Sequence, residues 1–309
     1  MSRDDRKPDA ATVLETHPPM PRAPATAKDL SRREKIIQQI LSLTAFSAVF
    51  ILGLIIIFVF KAGIPLIYKV GLREFLIGTA WSPTQGEFGI LAMIVGTLEV
   101  TFGALLIGVP LSLLTAIHLS EFATQSTKSV MKPLIELLAA IPSVVFGFLG
   151  VVILVPFIRE TFGGTGFSVL SAATVLGVMI LPTIISISFD SLQAVPQAYR
   201  EGALALGATP WQMVVRVIVP AARSGIITAI VLGMGRAMGE TMAVIMVAGN
   251  AVVIPTSPLH PCRTLTSNIA LEMAYASGDH QKALFATGVV LFVMIFLLNV
   301  LATALMKRK

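Results

Sequence analysis

The chemistry of this sequence is concentrated in Arg236 and Glu240, two charged residues that lie inside a long apolar run. An ionised side chain at the centre of a bilayer costs about 2.5–3.5 kcal/mol, so such residues mark a substrate path by default. On a continuous helix a spacing of four places both side chains on one face, about 40° apart, where they can pair. The guanidinium of Arg236 also offers a planar, permanently charged set of donors that suits tetrahedral oxyanions.

The carboxylate of Glu240 narrows the choice of oxyanion. Phosphate near neutral pH still carries a proton that it can donate to a carboxylate, whereas sulfate carries none. We therefore expect Glu240 to hold Arg236 in place and to favour phosphate in a substrate pathway. The alternative is an internal ion pair that only fixes neighbouring helices to one another.

The surrounding sequence predicts an all-α polytopic membrane protein with six transmembrane helices. Of the 309 residues, 55% are apolar and only 13% are charged, which is far from the composition of a soluble domain. Six apolar runs are long enough to cross a hydrocarbon core of about 30 Å as helices. They lie at 36–60, 90–118, 134–158, 168–189, 224–250 and 283–306, and together they predict a permease domain at 36–306.

Basic residues predict how these helices are oriented. Lys and Arg are concentrated before the first run, in the loops after the second and fourth runs, and at the carboxyl terminus. Because cytoplasmic loops carry an excess of these residues, we expect the N and C termini in the cytoplasm. Residues 1–35 contain few large apolar side chains and are expected to form a disordered cytoplasmic tail. The net charge of +6 then needs no nucleic acid to explain it.

The predicted cytoplasmic loop at 190–223 has a helical pattern of its own. Pro196 is placed to begin a short helix, and Gly207 supplies the left-handed turn that ends it. Thr209 then caps a second helix, which Pro220 is expected to stop. The loop is therefore predicted to expose a helix, a turn and a second helix.

Residues of this loop resemble the EAA loop of ABC importer permeases. They are Glu201, Gly202, Ala203 and Gly207, followed by the closing segment Val-Ile-Val-Pro at 217–220. The spacing matches, and the departures from the family's pattern are all small or apolar replacements. In that family the short helix of the loop docks in a groove of the ATPase subunit and carries its motion to the membrane helices. The resemblance implies that these residues couple the chain to an ATPase.

The sequence contains no G-x-x-x-x-G-K-[ST] phosphate loop. We therefore expect this chain to bind no cofactor itself, and ATP to be used by a separate ATPase subunit. The four His residues and Cys262 show no metal-ligand spacing, so no metal site is predicted. No nucleophile–base pair stands at a recognisable spacing either, and the sequence predicts a transport subunit rather than an enzyme.

Three further segments are similar to the PstC-type permeases of phosphate importers. They are GRAMGETMAVIMVAGN at 235–250, IELLAAIPSVV at 135–145 and TLTSNIA at 264–270. The resemblance implies the type I ABC importer permease fold, a multi-pass location in the bacterial inner membrane and a transport role for Arg236 and Glu240. The implied partners are a PstA-like second permease subunit, a PstB-like ATPase dimer and a PstS-like periplasmic phosphate-binding protein, in addition to membrane lipid.

Two other functions remain open at this point. A permease for another oxyanion, such as phosphonate, molybdate or sulfate, agrees with the loop but gives Glu240 no evident role. A secondary transporter would need internal repeats or pairs of broken helices, and the sequence shows no convincing repeat at that scale. We therefore favour the permease subunit of an ATP-driven phosphate importer.

Overall fold

The computed structural model describes residues 32–307, and these residues are almost entirely helical. The predicted tail at 1–35 lies almost wholly outside the described residues. The helices are α1 (Arg32–Val70), α2 (Leu72–Ile77), α3 (Leu91–Ile117), α4 (Gln125–Ala140), α5 (Ser143–Leu149), α6 (Val155–Phe162), α7 (Val169–Gln193), α8 (Gln197–Ala205), α9 (Pro210–Met213), α10 (Val219–Ala221), α11 (Arg223–Gly239), α12 (Met242–Val247), α13 (Leu265–Glu272) and α14 (Gly278–Lys307).

Short irregular elements complete the helical framework. Strands β1 (Trp81–Ser82) and β2 (Glu87–Phe88) pair antiparallel around a 3₁₀ turn. Within residues 32–307, three π-helical turns interrupt or extend the helices: His118–Phe122 follows α3, Gly150–Leu154 joins α5 to α6, and Val214–Ile218 joins α9 to α10.

The chain divides into two units, residues 1–55 and residues 56–309. In the described part of the first unit, α1 exposes large apolar side chains such as Leu41, Phe46 and Phe50. A helix that is apolar on all sides belongs in an apolar environment, either lipid or another protein surface.

The membrane-spanning character predicted from composition is confirmed. Within the described residues, five helical segments are long and apolar enough to cross a bilayer, and a bent pair can supply a sixth. The five are Glu34–Val70, Leu91–Phe122, Ser143–Phe162, Val169–Gln193 and Gly278–Ala304, and the bent pair joins Pro210–Ala221 to Arg223–Gly239 at 70°.

The third predicted span, at 134–158, is wrong as a single helix. α4 ends at Ala140, and α5 begins at Ser143 after Ile141 and Pro142, whose backbones are extended. The ring of a proline disfavours helical backbone at the residue before it, so the chain breaks at Ile141 rather than bending. The apolar segment long enough to span runs from Ser143 to Phe162.

The core within residues 56–309 forms where α3, α7 and α11 pack together. Its fully buried side chains include Ala104 of α3, Ile180 of α7 and Ala229 of α11. Small residues on α11 allow the close approach to α7: Gly225 faces the side chain of Ser191, and Gly233 faces that of Ile184. A larger residue at either glycine would collide with α7, as expected for small residues at a helix interface in a membrane.

The two ends of α3 contact different parts of the chain. Near its first turns, the hydroxyl of Thr97 accepts a hydrogen bond from the backbone N–H of Leu265 at 3.0 Å, at the start of α13. The π-helical turn that follows α3 instead contacts α8, through an ion pair between Glu121 and Arg200. We call these the α13 end and the α8 end of the helices.

Candidate functional site

The loop between α7 and α11 forms the predicted helix, turn and helix. α8 follows Pro196, and Gly207 ends it with a φ of +81°, in the left-handed region that favours glycine. Thr209 begins α9 with a capping box: its hydroxyl accepts the N–H of Gln212 at 3.3 Å, and the Gln212 side chain accepts the N–H of Thr209 at 2.9 Å.

The helical run that begins at Pro210 ends at Ala221, one residue beyond Pro220, so the predicted end of the second helix is correct to within one residue. Pro220 occupies the first turn of α10, and the chain bends next to Ala222 before α11. Proline is tolerated there because the first turn of a helical segment does not need its N–H as a donor.

The four residues of the predicted coupling site have two different environments. Glu201, Gly202 and Gly207 are exposed, whereas Ala203 is only 9% exposed and packs in the cluster around Val214. Large apolar side chains surround the exposed residues, and the set comprises Tyr199, Leu204, Leu206 and Trp211. Leu206 is 91% exposed, so this loop presents an apolar surface of the kind that marks a protein interaction site.

An ion pair that sequence reasoning missed attaches α8 to the end of α3. Nε of Arg200 donates to Oε2 of Glu121 at 3.0 Å, and Nη2 donates to Oε1 at 2.8 Å. The same guanidinium donates to the carbonyl oxygens of Val195 at 2.7 Å and Leu192 at 2.9 Å. The Glu121 side chain is only 4% exposed and that of Arg200 14%, so this is a bidentate pair shielded from solvent.

Further hydrogen bonds fix the position of Glu121. The hydroxyl of Ser120 donates to Oε1 of Glu121 at 2.7 Å. The carbonyl oxygen of Ser120 accepts from Nζ of Lys128 at 3.0 Å and from the Gln193 amide at 3.3 Å. Because Glu121 accepts hydrogen bonds from the Arg200 guanidinium, the pKa of Arg200 is raised above its usual value.

The second candidate site contains Arg236 and Glu240, and here the predicted helix geometry is wrong. The run at 224–250 is not one helix, because α11 ends at Gly239 and Glu240 has an extended backbone. Oε1 of Glu240 accepts the N–H of Ala243 at 3.3 Å, at the start of α12. Within the described structure Glu240 and Arg236 therefore form no ion pair: the helical spacing ends before Glu240, whose carboxylate caps α12 instead.

Arg236 lies on the exposed face of the last turn of α11. Among residues 32–307 its guanidinium has no hydrogen-bond or ion-pair partner. Leu232, one turn earlier on the same face, is also exposed. This face of α11 therefore presents donors to a ligand or to another subunit rather than to the rest of its own chain.

The segment TLTSNIA holds Glu240 from the other side. Thr264 caps α13, and the hydroxyl of Thr266 donates to the backbone carbonyl oxygen of Glu240 at 3.0 Å. This contact connects the extended residue after α11 to α13, which was identified from the sequence as a separate segment.

A buried polar cluster that the sequence did not reveal supports α13. The carboxylate of Glu272 accepts hydrogen bonds from Arg263 at 2.8 Å and from the indole N–H of Trp81 at 2.9 Å. Its Oε2 also lies 2.8 Å from Nε2 of His280. Nη1 of Arg263 also donates to Asn268 at 3.1 Å. The cluster ties the β-hairpin, α13 and the start of α14 together at the α13 end.

Fold and sites together define a class of protein: a polytopic helical membrane protein with an exposed helical loop anchored to its membrane helices, and with charged residues where one membrane helix ends. The model of the family described as "Binding-protein-dependent transport system inner membrane component" matches residues 108–309. The chain belongs to this family.

Curated relatives agree with this assignment. The chain is 46% identical over 241 residues to the probable ABC transporter permease protein YqgH of Bacillus subtilis (strain 168), covering 76% of this chain and 78% of the relative. It is 34% identical over 307 residues to the phosphate transport system permease protein PstC of Haemophilus influenzae, covering 90% of this chain and 98% of the relative. The PstC of Mesorhizobium japonicum is 38% identical over 256 residues, covering 76% and 78%. The resemblance to PstC-type permeases is confirmed.

Solved structures show the same fold. The inward-facing MetNI methionine ABC transporter has a chain with a TM-score of 0.55 and 18% identity, covering 74% of this chain and 98% of that one. At this identity the likeness concerns the fold alone, and it confirms the predicted type I ABC importer permease fold. The chain is thus a permease subunit of an ABC importer, a transport component rather than an enzyme, and it works with an ATPase and a substrate-binding protein.

Proposed function

We propose that this chain is the permease subunit of an ATP-driven importer of inorganic phosphate in the bacterial inner membrane. The observation that supports this most directly is the guanidinium of Arg236, which has no partner within the described chain and lies at the end of a membrane helix. A permanently charged group in that place costs free energy unless an anion or another protein group compensates it. Relatives named as phosphate permeases support phosphate as that anion.

Glu240 contributes to the choice of anion by a route that differs from the ion pair predicted from the sequence. Oε1 of Glu240 accepts a hydrogen bond from the N–H of Ala243, and Oε2 of Glu240 has no partner within the described chain. Oε2 can accept the proton that phosphate retains near neutral pH, whereas fully ionised sulfate would face a repelling carboxylate. In this proposal Arg236 attracts the anion, and Glu240 favours phosphate over sulfate.

The α8 end of the helices is assigned to the cytoplasm, with both chain termini on the same side. There the exposed apolar side chains around Glu201 and Gly207 dock on the ATPase. The proposed partners are a PstA-like second permease subunit, a PstB-like ATPase dimer and a PstS-like binding protein on the periplasmic side. ATP is used by the ATPase, and this chain binds no cofactor of its own.

The test is uptake of radiolabelled phosphate by cells that lack their own high-affinity permease and receive this chain with its partner subunits. We compare wild type with Arg236→Gln and Glu201→Arg, and a parallel sample is depleted of ATP. Wild type should restore ATP-dependent uptake, and both variants should lower it at least about tenfold while reaching the membrane in normal amounts.

A competition arm decides between phosphate and the other oxyanions. Unlabelled sulfate, molybdate and phosphonate are added in excess during uptake, and only unlabelled phosphate should compete. ATP hydrolysis by an assembled complex that imports no phosphate would retain the importer architecture and end the phosphate assignment.

A further inference from the structure

The attachment of α8 to the rest of the chain depends on one charged side chain. Among the described residues of α8, only Ala203 is buried, and only Arg200 is partly buried. A single alanine offers little apolar area to hold a helix in place. The four hydrogen bonds of Arg200, two of them to Glu121, therefore carry most of the attachment.

Glu121 makes this attachment a contact with α3 in particular. It lies in the π-helical turn that directly continues α3, and hydrogen bonds around Ser120 fix that turn against α7. A bidentate pair fixes both distance and orientation, whereas apolar surfaces can slide past each other. The contact between α8 and the turn that continues α3 is therefore fixed in distance and orientation.

α3 extends from this pair to the segment that holds Glu240. Its 27 residues span about 40 Å. Near the α13 end Gly96 lies so close to the carbonyl oxygen of Arg263 that an added Cβ would be 2.8 Å from it. Thr97 accepts the N–H of Leu265, and the next residue, Thr266, donates to Glu240.

We propose that the Glu121–Arg200 ion pair is the joint through which movement of α8 reaches α3, and that α3 passes it through α13 to Glu240. This inference rests on the proposed function, because ATPase docking on α8 supplies the movement. Glu121 and Arg200 are positioning residues: neither lies at the proposed anion site. Their loss should separate ATP hydrolysis from transport without removing either the docking surface or Arg236.

The central variant is the double replacement Glu121→Leu with Arg200→Leu. Replacing both members of a buried ion pair by apolar residues of similar size is often neutral for stability, whereas a single replacement leaves a buried charge. Lys69→Gln is the matched control, because it removes the exposed ion pair between Lys69 and Asp279 at the α13 end. Arg200→Lys keeps the charge but cannot reproduce the bidentate geometry.

The first readout is the amount of phosphate imported per ATP hydrolysed by the complete complex in proteoliposomes. In the double variant the ATPase rate should stay within about twofold of wild type, while transport per ATP falls about tenfold or more. Arg200→Lys should give an intermediate loss, and Lys69→Gln should match wild type. A double variant that assembles and transports with normal coupling overturns the proposal.

The second readout does not depend on the identity of the substrate. Cys262 is the single cysteine of this chain, and it lies buried beside Gly96 at the α13 end. Burial, with a further contribution from Glu99, raises the pKa of this thiol to about 12, so it reacts slowly with maleimides until the segment moves. Mass spectrometry measures its labelling by a membrane-impermeant maleimide, with and without ATP and vanadate.

Nucleotide should change the labelling rate of Cys262 in wild type and in Lys69→Gln, but not in the double variant. If nucleotide changes the labelling rate of Cys262 in the double variant as much as in wild type, the proposed role of the Glu121–Arg200 ion pair is wrong. The proposal is also wrong if nucleotide does not change the labelling rate in a wild-type complex that hydrolyses ATP. If wild type imports no phosphate but shows a Cys262 response that the double variant lacks, the substrate proposal fails and the joint is retained.

Discussion

Arg200 and Arg236 show how differently one residue type is used in two regions of this chain. Each has a glutamate close by in sequence, Glu201 and Glu240, and in the described structure neither arginine pairs with it. Arg200 is shielded from solvent and pairs with a carboxylate 79 residues away, whereas Arg236 is exposed and has no partner within the described chain. The first arginine is committed to holding the fold, and the second remains available to a ligand or another subunit.

The largest expected difference between the two arginines is in stability. Arg200→Met leaves Glu121 buried without its counter-ion, which should destabilise the protein by about 3–5 kcal/mol. Arg236→Met removes no contact within the described chain and should change stability by less than about 0.5 kcal/mol. Thermal unfolding of the purified chain in detergent, followed by tryptophan fluorescence, measures both. Equal losses in the two variants would remove the distinction between a structural and a functional arginine.

Replacing Arg236, which should hardly change stability, is expected to have a large effect on phosphate transport. Under the proposed function, Arg236→Gln removes a charged donor to the anion, worth about 1.5–3 kcal/mol, so uptake at low phosphate should fall about 10- to 150-fold. The measurement is initial uptake by cells with matched amounts of protein in the membrane. Arg159→Gln, at an exposed arginine of α6, is the control and should retain wild-type uptake. Normal uptake by Arg236→Gln would exclude Arg236 from the substrate path.

The structure of the loop between α7 and α11 was predicted well because it depends on capping and turn residues that are close together in sequence. The cap at Thr209, the turn at Gly207 and the helix start after Pro196 each depend on residues only a few positions apart. Such features are read from a single stretch of chain because the interacting groups are neighbours in sequence. The apolar runs were likewise sufficient to predict a polytopic helical membrane protein.

The breaks and the long-range pair were harder to predict for physical reasons. Hydropathy does not register the two residues between α11 and α12, because the sequence on both sides remains apolar. The partner of Glu121 lies far along the chain, so no local pattern reveals it. A usable signal did exist: a carboxylate at the end of an apolar run requires a cation, and Arg200 follows in a loop predicted on the same side.

Two glycines of the loop between α7 and α11 should change stability in opposite directions when they are replaced by alanine. Gly207→Ala forces a side chain into left-handed backbone, which costs about 1–2 kcal/mol, although no atom would collide with its Cβ. Gly202→Ala also meets open space, but in the helical backbone of α8, where alanine is better than glycine by about 0.5–1 kcal/mol. Amide hydrogen exchange of α8 measures both: protection should fall in the first variant and rise in the second. The same sign in both would show that backbone conformation does not govern this loop.

An effect confined to a few residues is expected at the cap of α9, and it tests whether the second helix of the loop is held by its own cap or through Arg200. Thr209→Ala removes the hydroxyl that accepts the Gln212 N–H and should cost about 1 kcal/mol, whereas Thr209→Ser keeps that oxygen and should cost little. Because the box is reciprocal, Gln212→Ala should cause part of the same loss. Hydrogen exchange should therefore increase at the start of α9 while the protection of α8, fixed by the pair with Glu121, remains unchanged. If α8 also loses protection, the two helices of the loop move as one body, and the ion pair is not an independent attachment.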